Sequence, residues 1–524
     1  MAGMRTDELQ HWAQQSPERP ALIFPQSGQE ISFAALDASA NCLAQALLAR
    51  GLEAGAMIAV LLENRPEIFT IAWAARRAGL YYAMLNSHLK ASELGYLLAD
   101  SGARLLITSR ALLAAVPGEI RRHLPLIIVD AGDAGDETDF SALIAPFSAG
   151  KTLPERPVGR EFLYSSGTSG KPKGILHPML PADQRGIRQP AEQAFDLMLQ
   201  RFDPGDVYLS PAPLYHAAPH VYSLVAQARG GTVVVLDKFA PEAALAAIAR
   251  HGVTHSQWVP TMFVRLLALA EDVRARYDLS THRRAIHAAA PCPVHVKEKM
   301  IAWWGPILVE YYAGSERIGT TLIESVEWLS HKGSVGRAVY GKIHILDEAG
   351  NDLPTGAVGG IWFEGTPRFT YHNAAEKTAA SFNARGFATY GDLGHLDEEG
   401  YLYLSDRRSD LILSGGSNVY PAEIESVLLE HPMIADAAAF GLADDDLGEI
   451  VIAAVQPVAP AASIGLSPEA VIAFCRARMS SLKCPRDVIF LESLPRTPTG
   501  KLLRRELKER FREKFAPSHA AALR

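Results

Sequence analysis

The sequence predicts a multi-domain α/β protein: a large N-terminal domain of βαβ-type sheets with a β-rich subdomain, then a small, mobile C-terminal α+β domain. Three observations predict it. Continuous apolar runs such as Met57-Ile-Ala-Val-Leu-Leu alternate with helical patterns through the first half of the chain, as buried parallel strands and their crossover helices do. Near residue 340 the texture changes to short strands bounded by turn residues. Around 405–420 it changes again and opens a compact α+β unit of roughly a hundred residues. The expected division is 1–405, a hinge at 406–410, and 411–524.

Taken in order, Glu8 to Gln15 has a helical pattern, Pro20 to Phe24 reads as a strand and Ile31 to Arg50 as a second helix. The run from Met57 is followed by a helix over Pro66 to Ala78, a strand from Tyr81, a helix over Ala91 to Asp100, and strands at Leu105 and over Leu124 to Val129. Strands alternating with helices imply a parallel sheet. The pattern resumes with strands at Val207 and Thr232, a helix over Ala240 to His251 and a strand over Thr254 to Val259. Val339 to Asp347 and Gly360 to Glu364 read as the strands of the β-rich part. The last unit reads helix (Tyr420 to Leu429), strand (Ile434 to Phe440), strand (Ile450 to Val455), helix (Pro468 to Met479) and strand (Val488 to Leu491). A charged helix from Lys501 and an Ala-rich end follow.

Composition narrows the partners. Of 524 residues 48% are hydrophobic and 21% charged, which is ordinary for a large buried core. A net charge of −7 argues against a general nucleic-acid binder. Cys42, Cys292, Cys475 and Cys484 have neither metal-ligand spacing nor the density of a disulfide framework, so a reducing cytoplasm is expected. The polar start lacks the apolar core of a signal peptide, and no stretch of about 18 apolar residues predicts a membrane span. A homodimer is compatible with all of this. His251 and His255 are four apart, but Gly252 breaks the helix between them, which argues against a metal pair.

The stretch Ser165-Ser-Gly-Thr-Ser-Gly-Lys-Pro-Lys-Gly174 carries three glycines, four hydroxyl residues and two lysines after the apolar run Phe162-Leu-Tyr164. Such a loop wraps phosphates: glycines let backbone N–H groups approach, hydroxyls donate and lysines supply charge. It does not have Walker A spacing. Four later stretches accompany it. Tyr311-Tyr-Ala-Gly-Ser-Glu316, which follows an apolar strand Ile307-Leu-Val309, offers a ring to stack on a base and a carboxylate for a cation. Tyr390-Gly-Asp-Leu-Gly and the following Gly400-Tyr-Leu-Tyr-Leu-Ser-Asp-Arg407 offer an Asp and an Arg suited to a ribose diol. Ser414-Gly-Gly-Ser-Asn-Val-Tyr-Pro leads into a helix, and Pro498-Thr-Gly-Lys501 presents one lysine on a tight turn.

These five stretches, in this order, resemble the adenylate-forming enzymes: acyl-CoA synthetases, peptide-synthetase adenylation domains and firefly luciferase. The resemblance runs from about residue 10 to 510. Ile286-His-Ala-Ala-Ala-Pro-Cys-Pro and Trp303-Trp-Gly-Pro-Ile-Leu-Val-Glu-Tyr-Tyr are similar to bacterial ligases for fatty, aromatic or steroid acids. It implies ATP, Mg²⁺ and coenzyme A as cofactor and co-substrates, and a small-molecule carboxylic acid as substrate. Ser165, Ser166, Gly167, Thr168, Ser169, Gly170 and Lys173 would cradle the β- and γ-phosphates. Ala288, Ala289, Ala290 and Pro291, with Tyr312, would line the adenine slot; Asp392 and Arg407 would hold the ribose. Ser315 would contact the α-phosphate, Glu316 would bind Mg²⁺, and Lys501 would reach the α-phosphate and the substrate carboxylate. Gly415 and Gly416 would border the pantetheine tunnel. Ser409 falls at the hinge, where family members often carry Asp or Lys, and Ser315 replaces the family's usual Thr.

Pro213-Leu-Tyr-His216 resembles the segment beside the acyl pocket; His216 closes that pocket, steers the carboxylate or simply packs. Ala217, Trp258 and Gly314 are the other expected pocket residues. Ala217-Ala-Pro-His-Val-Tyr carries no acidic residue to pair with an ammonium, which favours an apolar acid. The two-step ligation of such an acid to CoA is the expected activity. An enzyme that loads a carrier-protein thiol or another acceptor is the alternative, disfavoured because no fused carrier domain follows Lys501. Arg317 has no role at this stage.

Overall fold

The computed structural model describes residues 7–131, 138–164, 172–186, 202–365, 367–407, 410–414, 417–444, 447–461, 465–481, 483–497, 501–512 and 514. The glycine loop 165–171, the hinge residue Ser409, the glycines Gly415 and Gly416, and the Ala-rich end lie outside the described residues. Three sheets organise the rest.

The largest sheet has two halves. In the first, Leu308–Ala313, Arg284–His287, His255–Trp258, Val207–Ser210, Thr232–Val235 and Pro20–Phe24 lie side by side and parallel. Their apolar runs are buried on both faces, as parallel strands require. In the second half, antiparallel strands Thr320–Glu324, Ser334–Tyr340, Leu402–Arg407, Asp392–Leu396, Gly359–Glu364 and Lys342–Leu346 continue the same sheet. The expected single strand over Val339 to Asp347 is two, because Gly341 turns the chain at φ +74°.

A second sheet carries Met57–Leu61, Tyr81–Met84 and Leu105–Thr108 in parallel and ends in the antiparallel pair Arg160–Tyr164 and Gly174–Leu176, with Thr370–Tyr371 at its edge. The helix Ala217–Ala228 packs against both sheets: its Tyr222 ring lies 5.9 Å from Tyr311 of the first, and its His220 Nε2 is 2.9 Å from the Tyr82 hydroxyl of the second. The third sheet holds Ile412–Ser414, Ser417–Val419, Ile434–Asp444, Gly448–Pro457 and Asp487–Phe490, with its own cores on either face. No helix of the described residues is long and apolar enough to cross a membrane.

Candidate active site

The strand Leu308–Ala313 runs four residues beyond its predicted end and delivers the turn Gly314-Ser315-Glu316-Arg317. Three contacts fasten this turn to the hairpin that brackets the glycine loop. Arg317 pairs with Glu161 on Arg160–Tyr164. His177, just past Gly174–Leu176, donates from Nε2 to the Ser315 carbonyl at 2.9 Å. The Tyr371 hydroxyl donates to Glu316 Oε1 at 2.7 Å, and its strand pairs with Gly174–Leu176. Arg317 thus has a place, with φ +57°. Such a conformation costs a non-glycine residue about 1–3 kcal/mol and persists where surrounding contacts over-determine it. Glu161 is 5% exposed; burial alone would raise its carboxyl, but Arg317 and Arg160 hold it well below the ordinary range.

Lys173 and Glu316 flank one ring. Lys173 Nζ lies 5.0 Å from the Tyr371 ring centroid, while the Tyr371 hydroxyl holds Glu316. Burial lowers the Lys173 ammonium, Lys377 adds to this, and Glu316 opposes it. The ammonium and the carboxylate thus bracket one ring: Lys173 suits phosphate oxygens, and Glu316 is a single carboxylate suited to Mg²⁺ held together with substrate phosphates. Gly314 is required here: a Cβ would come 2.3 Å from Tyr390 Cε1 and 2.7 Å from Glu316 Oε2. That vector points at Tyr390. Tyr390 in turn ties down the end of the turn, donating to the Gly319 carbonyl at 2.9 Å and accepting from the Ile318 N–H at 3.1 Å.

The structure also joins the expected base and ribose residues. Tyr312 donates to Asp392 Oδ2 at 2.6 Å, and Asp392, 9% exposed, stands directly opposite Arg407 in the ladder. Ala288 to Pro291 leave the C-terminal end of Arg284–His287, the strand beside Leu308–Ala313. Ala289 holds φ +77°, a second left-handed non-glycine residue in the same neighbourhood. Loops at the carboxyl ends of adjacent parallel strands are where open α/β sheets bind ligands.

Beneath them the wholly buried Lys297 donates to Glu310 Oε2 at 2.6 Å and sits 4.6 Å from the Trp328 centroid. His287 Nε2 is 3.8 Å from the same carboxylate oxygen.

On the acyl side, Asn64 fixes the segment before His216: it donates to the Ala212 and Leu236 carbonyls at 3.1 and 2.8 Å and accepts from the Leu214 N–H at 2.7 Å. His216 precedes the helix that Ala217 begins. Burial lowers the His216 imidazole to about 4, and its buried Nε2 has no hydrogen-bond partner. Trp258 corrects the expectation. It is 1% exposed, its Nε1 donates to Ser256 Oγ at 2.6 Å, and its ring packs on Phe263 and Trp304 at 6.2 and 5.2 Å. That is the face away from the Ala217–Ala228 helix. Successive strand residues alternate faces, so Gln257 is the side chain turned toward that helix, and it donates to the Tyr311 hydroxyl at 3.4 Å.

Lys501 is tied to Thr497 by two hydrogen bonds, Lys501 N–H to Thr497 Oγ1 at 3.0 Å and Thr497 N–H to the Lys501 carbonyl at 2.8 Å, while residues 498–500 lie outside the described residues. Glu161, His177 and Tyr371 were missed in the sequence. The first two flank the glycine loop, a position that could have flagged them; Tyr371 has no local motif.

Acid should destabilise the protein in a defined window. Burial lowers His177, His216 and His220 each to about 4. These values lie below that of a free imidazole, so the unfolded chain takes up protons first. Their contribution is whole above pH 6.5 and is lost as the pH falls from about 6.5 to 4, by up to ~1.4 kcal/mol per pH unit for each. Urea unfolding between pH 7 and 4 measures it; midpoints that stay constant across that range would contradict neutral burial of these rings.

Comparison with known proteins follows the same outline. Residues 9–369 match the AMP-binding enzyme family, and residues 423–501 match the AMP-binding enzyme C-terminal domain. The long-chain-fatty-acid–CoA ligase FadD13 of Mycobacterium tuberculosis is 31% identical over 513 residues, covering 96% of this chain and 97% of the relative. The fatty acid–[acyl-carrier-protein] ligase ScoC of Streptomyces coeruleorubidus is 31% identical over 507 residues, 95% of each chain. Among solved structures, o-succinylbenzoate coenzyme A synthetase (MenE) from Bacillus subtilis with ATP and magnesium superposes with a TM-score of 0.79, at 29% identity over 96% of this chain and 99% of that one.

Proposed function

This chain belongs to the family of AMP-binding enzymes, and we propose how its own residues carry out ATP-dependent ligation of a carboxylic acid to coenzyme A. The enzyme is an AMP-forming acid–thiol ligase. An oxygen of the acid's carboxylate attacks the α-phosphorus of ATP, the bond to the β-phosphate breaks, and pyrophosphate leaves. The thiol sulfur of CoA then attacks the acyl carbon of the resulting mixed anhydride, its proton is lost, and AMP departs.

The observation that carries the residue assignment is the meeting of Lys173 and Glu316 on the Tyr371 ring, in a turn held to both strands of the glycine-loop hairpin. A carboxylate approaching a polyphosphate is repelled, and fixed positive charge at the phosphate oxygens lowers that barrier. Mg²⁺, when bound, supplies Lewis-acid charge there. Glu316 holds the cation, Lys173 and the loop 165–170 hold the leaving pyrophosphate, and Ser315 orients the α-phosphate. Tyr312 and Ala288 to Pro291 position the adenine, Asp392 with Arg407 the ribose. His216 closes the acyl pocket beside the acid's carboxylate. Gly415 and Gly416 border the path of the CoA thiol.

The chain passes from Leu402–Arg407 in the large sheet to Ile412–Ser414 in the small one within five residues, and Asp410 is already tied to the small unit through Arg504 at 2.9 Å. This supports a pivot within 406–410 on which Lys501 swings in for the first step and out for the second. The acid has an uncharged fatty, aromatic or steroid-like tail, supported by the absence of an acidic residue along Ala217 to Tyr222. Free cysteines support a reducing, cytoplasmic setting. Loading of a carrier-protein thiol, the printed activity of ScoC, is the second reading.

AMP formation should appear with ATP, Mg²⁺, CoA and a panel of uncharged-tail acids, and rise with CoA. A panel with no CoA-dependent AMP overturns the ligase reading. AMP formation that needs a phosphopantetheinyl carrier instead favours the second.

A further inference from the structure

One face of the parallel half-sheet, the face under the helix Ala217–Ala228, carries more polar atoms than its own hydrogen bonds satisfy. Tyr208 and Ser210 are wholly buried, two residues apart on one strand. The neighbouring strand pairs Tyr208 with His255 and Leu209 with Ser256, which sets Ser210 beside Gln257, itself 5% exposed. The Tyr208 hydroxyl, Ser210 Oγ and Gln257 Oε1 have no hydrogen-bond partner. At the helix entrance the Tyr215 hydroxyl and His216 Nε2 have none either. Tyr311 and Tyr222 close the far side with rings 5.9 Å apart, and Gln257 Nε2 reaches the Tyr311 hydroxyl.

A buried polar atom left unpaired forfeits its hydration without compensation, and native proteins keep such atoms rare. Several on one sheet face and at the start of one helix, next to the strand ends that carry the nucleotide residues, point to a ligand that completes them. The donor inventory selects its chemistry. An amide oxygen only accepts, a phenol at neutral pH chiefly donates, and a serine does both. One group answers all three, a neutral hydroxyl. No carboxylate, lysine or arginine is among these groups, so a charged tail has nothing to pair with.

We propose that this polar face is the floor of the acyl pocket and that the enzyme selects an acid bearing an uncharged hydroxyl on its tail, with Gln257 and Ser210 as the groups that read it. This rests on the ligase reading above and sharpens the tail from apolar to neutral and hydroxylated. Gln257 accepts the hydroxyl proton, and Ser210 or Tyr208 donates to its oxygen. Tyr208 lies one side-chain repeat deeper, about 7 Å along the strand, so the floor can serve tails of two lengths.

The test is a set of matched acids: 3-phenylpropanoic against 3-(4-hydroxyphenyl)propanoic acid, and octanoic against 8-hydroxyoctanoic acid. CoA-dependent AMP formation gives kcat/KM, and thermal shift of the nucleotide-free protein gives binding separately. A hydroxylated member should exceed its partner by about tenfold or more in kcat/KM, because a pocket built to hydrogen-bond a hydroxyl rejects the analogue that lacks it. It should also raise Tm further. Gln257→Leu and, independently, Ser210→Ala should shrink that ratio at least severalfold, with circular dichroism confirming folding. Equal kcat/KM within both pairs, or preference for the deoxy acids, overturns the proposal while leaving the ligase reading intact; it would mean that water satisfies the floor. Absence of AMP formation with all four, together with no thermal shift by either hydroxy acid, overturns it as well. A shift without turnover counts against the ligase reading alone.

Discussion

Lys501→Ala should lose acyl-adenylate formation by about 10²–10³-fold while still converting supplied acyl-adenylate and CoA to thioester. The asymmetry follows from position. Lys501 belongs to the C-terminal unit and is tied to Thr497, and neighbouring Arg496 is braced to Asp436 at 2.6 Å. On the proposed pivot, a single charge on the C-terminal unit would stabilise the step for which that unit is docked and be absent from the other. Pyrophosphate exchange measures the first half-reaction, and thioester formation from synthetic adenylate measures the second. Equal loss of both would mean that Lys501 acts on folding or on a group common to the two steps, and the alternation of the C-terminal unit would fall with it.

Lys297→Met should destabilise the large unit by about 3–5 kcal/mol, more than any surface charge replacement in this chain. Lys297 is wholly buried and its partner Glu310 is 5% exposed. Burial already pushes the Glu310 carboxyl above its ordinary range against the pull of Lys297, so removing the ammonium leaves that group with no compensating charge. Neighbouring His287 is a poor substitute: burial, the larger cause of its lowered value in the parent, persists in the variant and still disfavours its charged form. The double variant Lys297→Met, Glu310→Leu should recover much of the loss, because the apolar pair has no charge to desolvate. The midpoint of the first denaturant transition measures both. A single variant as stable as the parent would show that Glu310 finds another partner. A functional cost should accompany the structural one, since Glu310 lies two residues before Tyr312 and His287 one before Ala288.

Local chemistry made most of the frame legible. The helix Glu8–Gln15 and the strands Pro20–Phe24, Leu105–Thr108 and Val207–Ser210 have the expected bounds, because continuous apolar runs and helical spacing belong to the residues themselves. What failed depends on distant chain. The strand ending at Ala313 continues past Val309 because Thr320–Glu324 pairs with it through Tyr311 and Tyr312. Asp392–Leu396, with Gly394, and Leu402–Arg407, ending in Asp406 and Arg407, carry residues that mask a strand pattern until each supplies the other's ladder. Within the site, Tyr312, expected at the base, and Asp392, expected at the ribose, are joined by one hydrogen bond. The partner of Arg317 lies 156 positions away in sequence and leaves no local signal. Trp258 was expected at the acyl pocket, although strict alternation along His255–Trp258 already turns it to the same face as Ser256 and gives Gln257 to the other.

The fastening of the Ser315–Arg317 turn to both strands of one hairpin has a thermodynamic corollary. Glu161 and His177 stand at opposite ends of the segment that would grip the triphosphate, and both hold the turn that carries Glu316. On the proposed assignment, phosphate at the loop and cation at Glu316 bias one shared element, and their affinities are linked by a single coupling free energy. Whatever factor the cation adds to the hold on the triphosphate, the triphosphate returns to the cation. Departure of pyrophosphate then weakens the grip on the ion by that same factor, so one chemical event releases both.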